Sequence, residues 1–243
     1  MSSTTDPYAT PSTSNTWIEG ISTNQHWQNN SGSSYTTDIK YYVDSTFYAW
    51  EVSLITEVQA NFAAVCNVTF TETNTGSVAD IYWDDPSGGG SAYGMAEFPG
   101  SAFNVYYTDY QSTVSIYYQN YENSGTQYMG SFDSVTYLHE LGHAMGLAHP
   151  HDTGDSSSVF AGVSSNGDTG DYDMNQGIYT TMTYVDGWST GGSQATPSNN
   201  TYGYQMTPMA LDIAALQNMY GANTTNASGD NTYTLDTSNN VGT

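Results

Sequence analysis

Residues 139 to 151 read His-Glu-Leu-Gly-His-Ala-Met-Gly-Leu-Ala-His-Pro-His and hold four of the five histidines in this 243-residue chain. The pattern H-E-x-x-H-x-x-G-x-x-H leaves the local fold little freedom. Residues four apart on an α-helix share a face, roughly 40° apart around the axis, so His139 and His143 can converge on one point. Asp133 or Ser134 is expected to cap that helix, with Val135, Leu138, Leu141 and Met145 at its apolar positions. Gly146 can take a positive φ and end the helix, and Pro150 blocks its continuation. The turn between them returns His149 towards the same point.

Three converging imidazoles suit zinc, which keeps an open coordination position when it is catalytic. Glu140 follows the first histidine and stands beside that position without being a ligand, as a general base should. The combination predicts hydrolysis of amide bonds. At this chain's own frequencies (His about 0.02, Glu about 0.03, Gly about 0.1), the five fixed residues arise by chance about five times in a million such chains. Surface histidines on an ordinary amphipathic helix are set aside on that ground.

With these residues in place the chain resembles the metzincins, metallopeptidases whose zinc motif is followed by a methionine-containing turn. Thr180-Thr181-Met182-Thr183-Tyr184 matches that turn. The resemblance implies that Met182 forms a floor under the zinc histidines and that Tyr184 is zinc-proximal, an additional ligand or an oxyanion stabiliser. His149-Pro150-His151-Asp152 is similar to the His-Pro-Gly-Asp of the serralysin family, with His151 in place of glycine, read first as a solvated loop residue and alternatively as one that perturbs the neighbouring loop. Residues 207 to 223 resemble that family's last catalytic-domain helix, with Thr207 as N-cap, Pro208 at the first helical position and Gly221 as the stop. Ile18-Glu19-Gly20-Ile21 with Trp27 is similar to its opening segment. The implied fold is α+β, a metzincin catalytic domain with a mixed twisted sheet, long helices and a C-terminal helical subdomain.

The remaining organisation reads from pattern. Residues 1–16 are Ser/Thr/Pro-rich and read as a mobile segment; 17–226 form the catalytic domain; 227–243 resemble the start of a calcium-repeat region. Strands are expected over Tyr35–Val43, Asn67–Glu72, Ala79–Trp83, Phe103–Tyr107 and Thr113–Tyr118, and a long helix over Ser45–Val65. Ala92, Tyr93, Gly94, Met95 and Ala96 fall where the family has its edge strand, and an edge strand can align an extended peptide by strand addition. Asp152, Asp155, Asp168, Asp171 and Asp173 crowd the loop before Met182. They read as a solvated acidic loop, with calcium at Asp168, Asp171 and Asp173 as the alternative.

Composition narrows the setting. Net charge is −23 with a single basic residue, Lys40, although only 10% of residues are charged. Such a surface repels nucleic acid and anionic lipid. The lone Cys66 makes no internal disulfide and is expected to be buried. No basic-then-apolar N-terminal segment and no long apolar run is present, and the family resemblance implies secretion by a type I exporter. The expectation is a secreted, monomeric zinc endopeptidase acting on proteins or peptides. The alternative is a zinc-stabilised binding or adhesion module, whose mark would be a lost ligand or base; the sequence has lost neither.

Overall fold

The computed structural model describes residues 13–27, 36–86, 91–100, 111–117, 129–192 and 196–232, with the side chain of Asp155 outside that set. The strand expected over Phe103–Tyr107 and most of the C-terminal extension also lie outside it. Five strands form one sheet in the order β2-β1-β3-β5-β4, comprising β1 (Thr37–Val43), β2 (Val68–Glu72), β3 (Ile81–Asp84), β4 (Gly94–Ala96) and β5 (Ser112–Ile116). The first four in that order run parallel, and β4 pairs antiparallel with β5 at the edge. Parallel pairing needs both faces covered, and the inward residues Ile39, Ile81, Trp83, Val114 and Ile116 are all fully buried.

Helix α1 (Thr16–Gly20) is short and starts where the Asn15 carboxamide accepts the N–H groups of Trp17 and Ile18. Helix α2 (Ala49–Val65) buries Leu54, Ile55, Val58 and Phe62 along one face. It starts four residues later than the periodicity predicts, because the Glu51 carboxylate reaches back to accept the Tyr48 N–H at 2.8 Å. The other oxygen of buried Glu51 accepts the Tyr137 hydroxyl at 2.7 Å, tying α2 to α3 (Phe132–Ala144). Tyr137 also stacks on Trp83, which fixes α3 over the sheet. Cys66 is buried, its thiol donating to the Phe62 carbonyl and pushed up to about 12 by burial.

Two further helix starts differ from expectation. Ser131, not Asp133 or Ser134, caps α3: its hydroxyl accepts the Ser134 N–H at 3.1 Å, and Asp133 falls in the first turn, where its charge suits the helix dipole. Helix α4 (Ala210–Tyr220) is capped at Met209 rather than Thr207, because the Asp212 carboxylate accepts the Met209 N–H at 2.8 Å. Gly221 ends it with φ +77°, as its sequence position implies.

Candidate metal centre

Helix α3 presents His139 and His143 one turn apart, and Gly146 at φ +95° turns the chain straight after the helix. The N-terminal segment holds this turn. Thr23 N–H donates to the Gly146 carbonyl, Ala148 N–H to Ile21, and the Trp27 indole to the Ala144 carbonyl at 2.7 Å. A side chain at 146 would stand 2.6 Å from the Gln25 carbonyl, so the packing as well as the φ demands glycine. The turn returns His149, and the three Nε2 atoms form a triangle with sides of 3.0, 3.1 and 3.0 Å.

The opposite ring nitrogens decide what that triangle is. His139 Nδ1 lies 2.8 Å from the Thr181 carbonyl and His143 Nδ1 lies 2.8 Å from the Leu147 carbonyl. A carbonyl only accepts, so both Nδ1 atoms carry the proton and both Nε2 atoms present lone pairs. His149 Nδ1 donates likewise to Asp152 Oδ2 at 2.7 Å. Lone pairs facing one another at this separation repel unless a cation stands between them. The triangle fits an ion held by three bonds of about 2.0–2.1 Å, the zinc–imidazole distance. Among the described residues, His139, His143 and His149 form one of two groups whose ligand atoms approach closely enough to share a metal.

Burial keeps the rings neutral and ready to ligate. It lowers His139 to about 3 and holds His143 well below the usual histidine range, with the neighbouring imidazoles acting in the same direction. A histidine whose folded pKa is depressed stabilises the fold above its unfolded pKa. That contribution is lost as pH falls through the interval down to the folded value. The metal-free protein should therefore lose thermal stability between about pH 6.5 and pH 3. A melting temperature flat across that window would contradict the buried, neutral state of His139 and His143.

Glu140 is buried, and desolvation raises its carboxyl to about 8. The edge strand β4 lies directly on it: a Cβ built on Gly94 would stand 2.6 Å from Glu140 Cγ and 2.7 Å from Oε1. All five edge-strand residues expected to meet substrate border the cleft. Ala92, Tyr93 and Gly94 line a cavity of about 410 Å³ on one side of Glu140, and Gly94, Met95 and Ala96 line one of about 280 Å³ on the other. Met182 is fully buried, its sulfur 2.6 Å from where a side chain on Gly142 would begin, so the methionine turn packs under α3. Tyr184 is 54% exposed, with its ring centroid 4.9 Å from that of His149 and 5.7 Å from that of His139.

The expectation of a solvated His151 is overturned. Its side chain is only 9% exposed and stacks on His149 with centroids 4.8 Å apart and an interplanar angle of 14°. The Pro150 turn folds it back against the triad, where it also meets Tyr184. The three calcium candidates are not brought together. Asp168 accepts from Ser164 and Asp173 from the Thr169 hydroxyl, and neither they nor Asp171 belong to a metal-competent group among the described residues.

Two acidic residues contribute more than their sequence positions announce. Burial opposes the charge of Asp152, but hydrogen bonds from His149 and the Gly154 N–H outweigh it and hold the carboxyl below its usual range. Fully buried Asp212 accepts the Thr180 hydroxyl at 2.5 Å and the Thr181 N–H at 2.8 Å, besides the Met209 N–H. Thr181 is the residue whose carbonyl fixes His139, so α4 positions that imidazole through one residue. Asp212→Ala strands these donors and should cost about 3 kcal/mol of stability, with metal affinity falling roughly 10–100-fold. Asp212→Asn, which can keep the Oδ2 acceptor, should recover most of both. Thermal melts and zinc competition measure the pair; equal losses in the two variants would refute the pinning role.

The fold and triad define a metzincin-type zinc-protease architecture. More narrowly, the region is a serralysin-like metallopeptidase catalytic domain. It is 30% identical over 181 residues to "Serralysin" of Proteus mirabilis, covering 70% of this chain and 34% of that protein. It is 31% identical over 185 residues to "Serralysin C" of Dickeya chrysanthemi (71% and 34%), and 28% identical over 192 residues to "Metallopeptidase AprA" of Pseudomonas marginalis (78% and 38%). The chain thus spans little more than a third of the length of these curated relatives. Solved structures similar to it include high choriolytic enzyme 1, a hatching enzyme zinc-protease from medaka (Oryzias latipes). That match has 17% identity and a TM-score of 0.42, covering 80% of this chain and 98% of that one. Myroilysin matches with 15% identity and a TM-score of 0.48, over 84% and 98%. No family model matches the chain.

Proposed function

We propose that residues 17–226 form a zinc-dependent endopeptidase that works outside the cell as a monomer, with 1–16 and 227–243 as extensions. The observation that carries this reading is the triangle of three Nε2 lone pairs, with each Nδ1 anchored to an acceptor. His139, His143 and His149 would hold zinc, which when bound would supply Lewis-acid polarisation of a carbonyl and a more acidic water. Glu140 holds and moves the proton. A carboxyl raised to about 8 sits close to working pH, where it can accept a proton from the attacking water and return it to the departing amine. Tyr184, at the rim of the triad, is placed to donate to the oxygen that gains charge. Strand β4, at the edge of the described sheet, aligns the peptide by strand addition, and Met182 supports the helix that carries the ligands. No described helix is long and apolar enough to cross a membrane.

Zinc-loaded protein incubated with a diverse peptide mixture should produce internal cuts that mass spectrometry can map. Binding of zinc with no cut in any peptide would favour the non-catalytic module instead. Gly94→Ala gives a sharper check on the geometry. Its Cβ must displace Glu140, so turnover should drop about 10–100-fold, while the melting temperature moves by no more than a few degrees. Unchanged turnover would mean that the carboxylate does not act from this position.

A further inference from the structure

We propose that the larger cavity beside Glu140 selects substrates with a lysine or arginine next to the bond that is cut, and that Asp186 recognises the charge. This rests on the endopeptidase reading and adds its substrate class. The cavity, about 410 Å³, opens on His139 and Glu140 and is walled by Tyr93, Phe132, Val135 and Val185, with Asp186 and Gln205 also lining it. Tyr93 and Tyr204 each meet Phe132 edge-on, with centroids 4.9 and 5.4 Å apart, giving a row of aromatic surface. Apolar walls ending in a carboxylate match a long aliphatic stem ending in a cation.

Among the described residues, no cation pairs with this carboxylate. Lys40, the single basic residue, lies on β1 beside Asp80. The ion pairs among the described residues are those of His149 and His151 with Asp152. Asp186 is solvent-exposed, yet surrounding atoms strip part of its hydration and raise its pKa. Burial, with the charge of Asp186 and the neighbouring Tyr93, drives the Tyr204 phenol up to about 12, so that hydroxyl stays neutral and adds no charge of its own beside Asp186. The smaller cavity across Glu140 also contains an aspartate, Asp152, but that one is already committed to His149. Selection for a cation therefore falls on one side of the scissile bond only.

Sequencing the cuts made in a random peptide mixture tests this. Lysine and arginine should be enriched roughly fivefold at one fixed position flanking the cut. That enrichment should vanish in Asp186→Asn and give way to acidic residues in Asp186→Lys. Cuts without basic enrichment, or enrichment that survives both substitutions, overturn the proposal. Binding separates it from turnover. Zinc-loaded Glu140→Gln should bind a lysine peptide roughly fivefold more tightly than its norleucine counterpart, and Glu140→Gln/Asp186→Asn should bind the two equally. A wild type that cuts nothing would sink the endopeptidase reading, while equal Kd values in Glu140→Gln would sink the role of Asp186 alone.

Discussion

Glu140→Gln should lower kcat about 10³–10⁴-fold while zinc stays bound at one equivalent. In free energy that is about 4–5.5 kcal/mol of transition-state stabilisation. The amide fills the same volume beside Gly94 but cannot accept a proton. Stability should move the other way. Glu140 is buried and its folded pKa is raised to about 8 from an ordinary 4.5, so the fold prefers its neutral form. A carboxyl raised in this way contributes stability that is complete below its unfolded pKa and is lost as pH rises through the folded value. Glutamine imitates the neutral acid at every pH. The metal-free variant should therefore melt at or above the wild-type temperature, with the gap widening from about pH 4.5 to pH 8. Paired kinetics and thermal melts across that range measure both signs at once. Retained turnover would remove Glu140 from the chemistry, and a destabilised variant at high pH would contradict its burial as a preferentially neutral group.

Removal of the metal is the second large effect. Without a cation, the Nε2 lone pairs of His139, His143 and His149 face one another at 3.0–3.1 Å, and helix α3 and the turn that carries His149 lose their common anchor. A ligand present at a thousand times its Kd adds about 4 kcal/mol to folding stability. For a domain of this size that corresponds to roughly 8–16 °C in melting temperature. Chelation should produce a downshift of that order together with complete loss of peptide hydrolysis, and one equivalent of zinc should restore both. The shift should be nearly absent in His143→Ala, whose triangle is incomplete before any chelator is added. A chelator that stops hydrolysis without moving the melting curve would mean that the ion is not bound by the folded triad.

The metal triad was legible because its geometry is local. A four-residue helical spacing, a glycine able to take φ +95° and a proline that forbids continuation leave His149 little choice. The alternating apolar pattern likewise located four of the five strands and the long α2, since periodicity reports burial directly. What escaped depends on contacts between distant segments. Ser131, Asp133 and Ser134 are all competent caps; α3 starts after Ser131, whose hydroxyl accepts the Ser134 N–H, while the Phe132 N–H goes to the distant Asn200 carbonyl. Asp212 reads locally as a helix-start acid, and only the folded chain brings Thr180 and Thr181 to it. His151 reads as a loop residue until the turn at Pro150 lays it on His149. Gly94 reads only as one of the edge-strand residues, because its reason for lacking a side chain is Glu140, some fifty residues away. The motif names the atoms of the centre, and tertiary packing supplies the shell that aims them.

The most direct test is to titrate zinc into metal-free protein while following cleavage of a peptide. Hydrolysis should rise linearly and reach its plateau at one equivalent in the wild type, and it should stay at background in His143→Ala. Full activity before any zinc is added, or an unaltered titration in His143→Ala, would contradict the assignment of His139, His143 and His149 as the catalytic metal centre.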